Sequence, residues 1–325
     1  MGYVGTRVLV TGGLGFIGSN LALRLAREGA IVTVVDPCVP GSGGDRDNIP
    51  RDSDIRVLEV DIAHAHRLRA EISSADVVFN CAGEISHIDS MRNPERDLEL
   101  NTRAQLCFLE AVRDWRPGVR VVYASTRQVY GIPQYLPVDE KHPVHPVDYN
   151  GVHKYAAGQY HFMLTRKGEL DAVVLRLTNV YGPRMSMKAM NQGFLSVFLK
   201  RMLDREPILV YGDGMQQRDP LYVDDAVEAF LLAGLMTDPG DRLFNVGGGE
   251  VLTLGDIANI ASEIADLPPP ALVPFPSDRK SIDIGSYSTD SSRFEFATRW
   301  RPRVRFADGL ARTFAHYQVR QEAPV

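Results

Sequence analysis

Through the first half of the chain, short runs of β-branched residues alternate with stretches whose apolar residues recur every three to four positions. The runs predict strands at Arg7–Thr11, Ile31–Asp36, Arg56–Val60, Val77–Cys81, Val119–Ala124 and Ala172–Leu177. The periodic stretches predict helices at about Phe16–Glu28, His64–Ile72, Pro94–Arg113 and Gly151–Arg166, each with one apolar face. This alternation belongs to an α/β fold, a parallel sheet covered by helices on both faces, with crossovers long enough for right-handed βαβ units. After Asn179 the rhythm loosens into Met185–Asn191, a helix near Phe194–Leu203 and a Pro-rich connection at Leu267–Pro276. That half is expected to supply lids rather than a second regular sheet. The run Pro268-Pro269-Pro270 reads as a stiff spacer inside a domain.

Composition narrows the class. A chain of 325 residues suggests about two domains, and 44% hydrophobic with 24% charged residues excludes disorder and collagen-like repeats. With 36 Lys and Arg against 41 Asp and Glu, the net charge of −5 provides no cationic surface for nucleic acid, and none is expected as a partner. Cys38, Cys81 and Cys107 lack the spacing of a zinc site or a disulfide framework, which fits a reducing, cytoplasmic setting. Apolar stretches such as Ala226–Met236 carry Glu228 and fall short of the ~20 residues that span a bilayer, so no membrane association is expected. His142 and His145 share a Pro-rich loop with no third ligand at a suitable spacing, so no metal is expected.

Chemistry enters at the first strand-to-helix turn. Thr11-Gly12-Gly13-Leu14-Gly15-Phe16-Ile17-Gly18 would let the chain turn tightly, let the backbone approach a pyrophosphate, and present helix N-terminal amides to it. Asp36 follows at the end of the second predicted strand, 21 residues after Gly15, where a carboxylate would hold both ribose hydroxyls of NAD and repel the 2′-phosphate of NADP. With further matches at Asp61-Ile62, Asn80-Cys81-Ala82-Gly83, Asn101, Leu175–Arg184, Tyr211–Gly214 and Arg218–Asp225, the chain resembles the extended short-chain dehydrogenase/reductase family, the NAD-dependent nucleotide-sugar epimerases and dehydratases. The resemblance covers nearly the whole length. It implies a doubly wound, Rossmann-type parallel sheet with a smaller C-terminal substrate-binding domain. Residues 1–178 with about 221–248 would hold NAD, and 179–220 with 249–325 would hold a nucleotide-diphosphate sugar.

The resemblance assigns roles residue by residue. Gly12, Gly15, Phe16, Ile17, Gly18, Asp36, Asp61, Ile62, Cys81, Ala82, Asn101 and Lys154 would face NAD, and Ser125, Asn179, Tyr211, Arg218 and Arg279 the nucleotide sugar. In the family a Ser or Thr, a Tyr, and a Lys four residues after that Tyr carry the redox step; a nearby ammonium makes the phenol a better base. Thr126 and Lys154 supply two of the three, but the position four before Lys154 is Asn150. Tyr149, one residue earlier, could serve only if the chain near Gly151 is not regular helix, because positions five apart do not share a helical face. Otherwise His153, His87 or a water must move the proton.

Dehydratases of the family carry Asp-Glu after the strand-five Thr, where this chain has Arg127-Gln128, and neither replacement can shuttle a proton at neutral pH. The expected reaction is therefore C4 epimerisation of an NDP-hexose through a transient 4-keto intermediate. Glu84–Ser90 resembles the sugar-contacting loop of the dehydratases with Ile85 added, which keeps an NDP-hexose dehydratase or NDP-hexuronate decarboxylase as alternatives. A third reading is a binding module with little turnover. Helices near 94–113 and 150–166 resemble the pair through which the family forms a homodimer.

Overall fold

The computed structural model describes residues 2–39, 43–187, 193–237, 240, 242–276, 280 and 282–322. Its centre is a parallel sheet built from β1 (Arg7–Thr11), β2 (Ile31–Val35), β3 (Arg56–Leu58), β4 (Val77–Asn80), β5 (Arg120–Thr126), β6 (Asp171–Leu177) and the strand Leu243–Val246. Their spatial order is Leu243–Val246, β6, β5, β4, β1, β2, β3, with every pairing parallel. The direction of winding reverses between β1 and β4, and at such a point an open crevice forms beyond the carboxyl ends of the strands. There Thr11 pairs with Asn80, and the Thr11 hydroxyl donates to Asn80 Oδ1 at 2.8 Å.

Helices in chain order are α1 (Phe16–Arg27), α2 (Arg69–Ser74), α3 (His87–Arg92), α4 (Pro94–Leu98), α5 (Ala104–Trp115), α6 (Tyr149–Arg166), α7 (Phe194–Leu203), α8 (Val223–Leu235) and α9 (Leu254–Ile264), followed by Ser292–Thr298 and Phe306–Glu322. One core, lined by Leu21, Leu25, Phe79, Val122, Val227 and Phe230, joins α1 and α8 to one face of the sheet. A second, with Leu68, Ile72, Val78, Phe108, Leu109 and Leu164, covers the other. Central strands such as β4 are buried on both faces, which is why they read as unbroken apolar runs.

Several elements differ from the sequence expectation. The helix expected at Pro94–Arg113 divides into α4, a π-helical turn at Glu99–Arg103 and α5. That turn aims Asn101 at the loop after β4, where it exchanges hydrogen bonds of 3.0 and 3.1 Å with the Glu84 backbone. The helix expected from Gly151 starts at Tyr149. Within the Pro-rich connection, Ala271–Val273 forms a strand parallel to Leu209–Tyr211. Besides Leu243–Val246 in the central sheet, the second half contributes short two-stranded pairings to the described residues, Val180–Tyr181 with Leu221–Tyr222 and Gln217–Arg218 with Leu252–Thr253. Cys38, Cys81 and Cys107 are unpaired, and among the described residues no helix is long and apolar enough to cross a membrane.

Candidate active site

Two cavities open at the carboxyl edge of the sheet, one bordered by Gly83 and Glu84 and the other by His87 and Ile88. The smaller, about 120 Å³, is lined by Gly12, Gly15, Asp36, Asp61, Ile62, Cys81, Ala82 and Gly83 among others. The turn beneath it requires glycine at two positions. Gly12 has φ +64°, and a Cβ there would stand 2.6 Å from the Cys81 carbonyl; at Gly18 it would stand 2.3 Å from the Gly12 carbonyl. Helix α1 begins at Gly15 with no side-chain cap and no acid in its first turn, which leaves its amides and dipole for an anion. Asp36 accepts the amides of Cys38 (2.9 Å) and Leu14 (3.2 Å). Burial raises its carboxyl pKa. Phe16 and Ile17 open α1 and pack on the core. These residues fit a dinucleotide: a close-approach glycine turn, free helix amides and a carboxylate at the end of β2.

The larger cavity, about 470 Å³, is lined by Arg127, Asn179, Tyr211, Arg218, His87 and Gln128 among others. Arg127 is buried, donates from Nη2 to Asn179 Oδ1 at 3.0 Å, and lies 4.8 Å over the Tyr287 ring. Its Nη1 has no hydrogen-bond partner. Burial lowers the Arg127 pKa, and burial with the neighbouring Arg127 charge lowers Arg218 to about 10. Arg218 Nη1 donates to the Gln217 and Gly285 carbonyls at 2.7 and 2.5 Å, and Nη2 lies 3.6 Å from Asp283. The Tyr211 ring sits 5.7 Å from that of Phe275. Arg279 lies outside the described residues.

Lys154, on α6, lines neither cavity but lies beside Gly83 of the smaller one. It is buried, and a Cβ on Gly83 would come within 2.5 Å of both its Nζ and Asn101 Oδ1. Burial lowers its pKa, with Asp97 acting the other way. Ser125 is buried at the end of β5, and the Thr126 oxygen accepts the Gln128 amide at 3.2 Å.

Residues 8–247 match the NAD dependent epimerase/dehydratase family. This chain belongs to that family. It is 31% identical to the UDP-glucose 4-epimerase of Mycolicibacterium smegmatis over 97% of this chain and 100% of that protein. It is 32% identical to the dTDP-glucose 4,6-dehydratase of an Actinoplanes species over 96% of this chain and 98% of that protein. The crystal structure of a Thermotoga maritima UDP-glucose 4-epimerase with UDP-glucose superposes with a TM-score of 0.88 at 31% identity, covering 97% of this chain and 99% of that one. The chain is accordingly an NAD-dependent enzyme of the epimerase/dehydratase group.

Against the family pattern, the structure does not bring Tyr149 to Lys154. Asp148 caps α6 by accepting the Gly151 amide at 2.7 Å, and the Val152 amide already bonds to the Asp148 carbonyl at 3.2 Å. The helix is therefore regular from its first residue. Tyr149 is turned outward, 44% exposed, its ring 6.1 Å from that of His153. The Lys154 face carries Asn150 instead. Asn150 is buried, its Nδ2 donating to the Glu84 carbonyl (2.9 Å) and to Asp97 Oδ2 (3.0 Å), while Asp97 Oδ1 lies 2.7 Å from His153 Nδ1.

Sequence reasoning missed Asp97 and Asp148. For Asp148 the signal was available: an Asp three residues before the first helical amide it can accept is an N-cap. For Asp97 there was none, because its partners lie on another helix.

Proposed function

We propose that this enzyme epimerises an NDP-hexose at C4 through a transient 4-keto intermediate, with the nucleotide sugar in the larger cavity and NAD in the smaller. In this reading residues 1–178 with about 221–248 hold NAD, and 179–220 with 249–325 hold the nucleotide sugar. The observation that carries it is Arg127. A buried guanidinium with an unpartnered Nη1, beside Asn179 and Arg218 on one cavity wall, suits a diphosphate-bearing ligand. The same residue stands where the dehydratases carry an acid, and it keeps its proton at neutral pH. The bound UDP-glucose of the Thermotoga relative supports a uridine diphosphate hexose.

When bound, NAD takes up and returns the hydrogen and electron pair of the C–H bond at the oxidised carbon. Gly12, Gly15 and Gly18 give the diphosphate its close approach, Asp36 holds the adenosine ribose, and Lys154 with Asn101 borders the crevice where the nicotinamide half would lie. Thr126 and Ser125, at the end of β5, orient the sugar.

Two copies associate through α5 and α6 in this reading. Tyr149, Val152 and Met163 are exposed apolar residues that share a face of α6. A reducing, cytoplasmic setting fits the three unpaired cysteines.

The test is incubation of the purified protein with UDP-, dTDP-, CDP- and GDP-hexoses and hexuronates, followed by chromatography with mass detection. A new peak of unchanged mass is expected. A product lighter by water or carbon dioxide overturns epimerisation in favour of elimination or decarboxylation, and no conversion while NAD stays bound overturns enzymatic turnover.

A further inference from the structure

An alcohol cannot be oxidised to a ketone without giving up its hydroxyl proton. The face of Lys154 offers Asn150, an amide that does not titrate and whose Nδ2 is already engaged twice. Tyr149 faces outward. Among the described residues lining the larger cavity, His87 is the one imidazole, the side-chain type that exchanges a proton near neutral pH.

His87 is also built into position. It opens α3, and its Nδ1 lies 3.0 Å from Asp148 Oδ2, an ion-pair contact when the ring is protonated. Nδ1 is buried against Asp148 while a third of the side chain is exposed and the residue lines the cavity, which leaves Nε2 as the ring nitrogen not taken up by Asp148. Asp148 is fully buried and held from three sides. Its Oδ2 accepts Gln128 Nε2 at 2.8 Å as well as facing His87, and its Oδ1 accepts the Gly151 amide at 2.7 Å. Burial works to raise the Asp148 pKa, but His87 and these donors outweigh it, and the carboxyl lies below its ordinary range.

The backbone at His87 is also tied to the helix that carries Lys154. The Ser90 hydroxyl donates to the His87 carbonyl at 2.7 Å and accepts the Asn150 amide at 3.3 Å, docking α3 on the first turn of α6. The other charged groups around α3 are accounted for. Asp97 on α4 is directed at His153 and Asn150. Asp89 and Arg92 on α3 itself are 3.7 Å apart and exposed. Glu84 Oε1 turns back on the Ile85 and Ser86 amides. Arg127 lines the same cavity from the end of β5.

We propose that His87 is the acid–base residue of this enzyme and Asp148 its positioning residue. Resting on the nucleotide-sugar reading above, His87 Nε2 takes the hydroxyl proton of the sugar carbon under oxidation, while the C–H electron pair of that carbon passes to the nicotinamide cofactor and a C=O bond forms. On reduction of the ketone the imidazolium returns the same proton to the oxygen, so the cycle borrows one proton and consumes none. Asp148 holds the ring orientation and offsets the charge of the imidazolium. The imidazole thus takes over the proton transfer that a phenol at position 150 would perform, and Lys154 is left to the cofactor.

The experiment compares wild type, His87→Gln, His87→Ala and Asp148→Asn on whichever sugar the panel above converts, with a ligand titration followed at the His87 ring by NMR. The expected results are a kcat lower by about 100-fold or more in His87→Gln, the usual scale of general acid–base catalysis, with KM changed by no more than about twofold, and partial rescue of His87→Ala by added imidazole. Asp148→Asn lowers kcat by about tenfold or more with KM changed by no more than about twofold, the split expected of a residue that orients the ring without touching the sugar. The ring signal absent from His87→Gln shifts when UDP-glucose is added to the protein as purified. A His87→Gln variant within about threefold of wild-type kcat, or a His87 signal unmoved by a sugar nucleotide that calorimetry shows to bind, overturns the assignment while leaving the function intact. A wild type that converts no sugar overturns both.

Discussion

Asp148→Ala tests the local architecture on which the site depends. The carboxylate caps α6 through the Gly151 amide at 2.7 Å and satisfies Gln128 Nε2 at 2.8 Å, with its side chain fully buried. Removing a helix N-cap costs about 1 kcal/mol. Leaving the buried Gln128 donor unpaired costs about 1–3 kcal/mol more, for a combined loss of about 2–4 kcal/mol. At about 2.1 cal/mol/K of unfolding entropy per residue, a chain of 325 residues loses about 1.5 °C per kcal/mol, so the expected fall in Tm is about 3–6 °C. Asn caps as well as Asp and can keep Gln128 paired if that amide turns over, so Asp148→Asn should lose under about 1 kcal/mol at neutral pH.

The pH dependence supplies the sign. Because the Asp148 carboxyl is held below its ordinary value, the unfolded chain binds the proton more readily than the folded one. The stability it contributes is complete above the unfolded pKa near ~4 and is lost as pH falls toward the folded pKa. The Tm gap between wild type and Asp148→Asn should therefore close on acidification from about pH 5 to pH 3, followed by scanning calorimetry. An Ala variant within about 1 °C of wild type at pH 7, or a gap that widens in acid, refutes the reasoning.

Gly18→Ala sets a Cβ 2.3 Å from the Gly12 carbonyl and 2.8 Å from Gly13 Cα, both backbone atoms, so the turn itself must move; the purified variant should release less than about a tenth of the wild-type NAD on acid denaturation, assuming that the shifted turn costs at least one hydrogen bond to a charged group. Asp36→Ala removes the carboxylate that excludes a 2′-phosphate, and the NADP-to-NAD affinity ratio, measured by calorimetry, should rise by about tenfold or more. Arg127→Met removes a buried charged donor from the larger cavity; KM for the converted sugar nucleotide should rise by about tenfold or more, and an unchanged KM would mean that the substrate anion lies elsewhere.

The turn and acid that line the smaller cavity were legible because their signals are local. A strand, three glycines and an acid fall within one βαβ unit, and the structure lines the smaller cavity with Gly12, Gly15 and Asp36. Strands β1, β2, β4, β5 and β6 were legible because burial on both faces leaves each with a run of apolar, mostly β-branched residues, as in Val8–Val10, Val34–Val35, Val77–Phe79, Val121–Val122 and Ala172–Leu175. The edge strand Leu243–Val246 was not, since four residues including Asn245 carry no pattern of their own, and only β6, far earlier in the chain, makes them a strand. The contact of His87 with Asp148 was equally invisible. Its partners lie 61 residues apart, and α3, a six-residue helix, must dock on α6 before they meet.

The missing phenol and the imidazole in the cavity have one structural cause. At about 100° per residue, a side chain four positions before Lys154 lies about 40° around the helix from it, whereas one five positions before lies about 140° away. An irregular first turn would be the one way to bring Tyr149 to the lysine, and the Asp148 cap removes that freedom by making α6 regular from its first residue. Having used Oδ1 on the Gly151 amide, the same carboxylate has Oδ2 left for Gln128 and His87. The group that turns Tyr149 away from the site is thus the group that positions His87 toward it, so the loss of one proton carrier and the placement of another are a single feature of the fold.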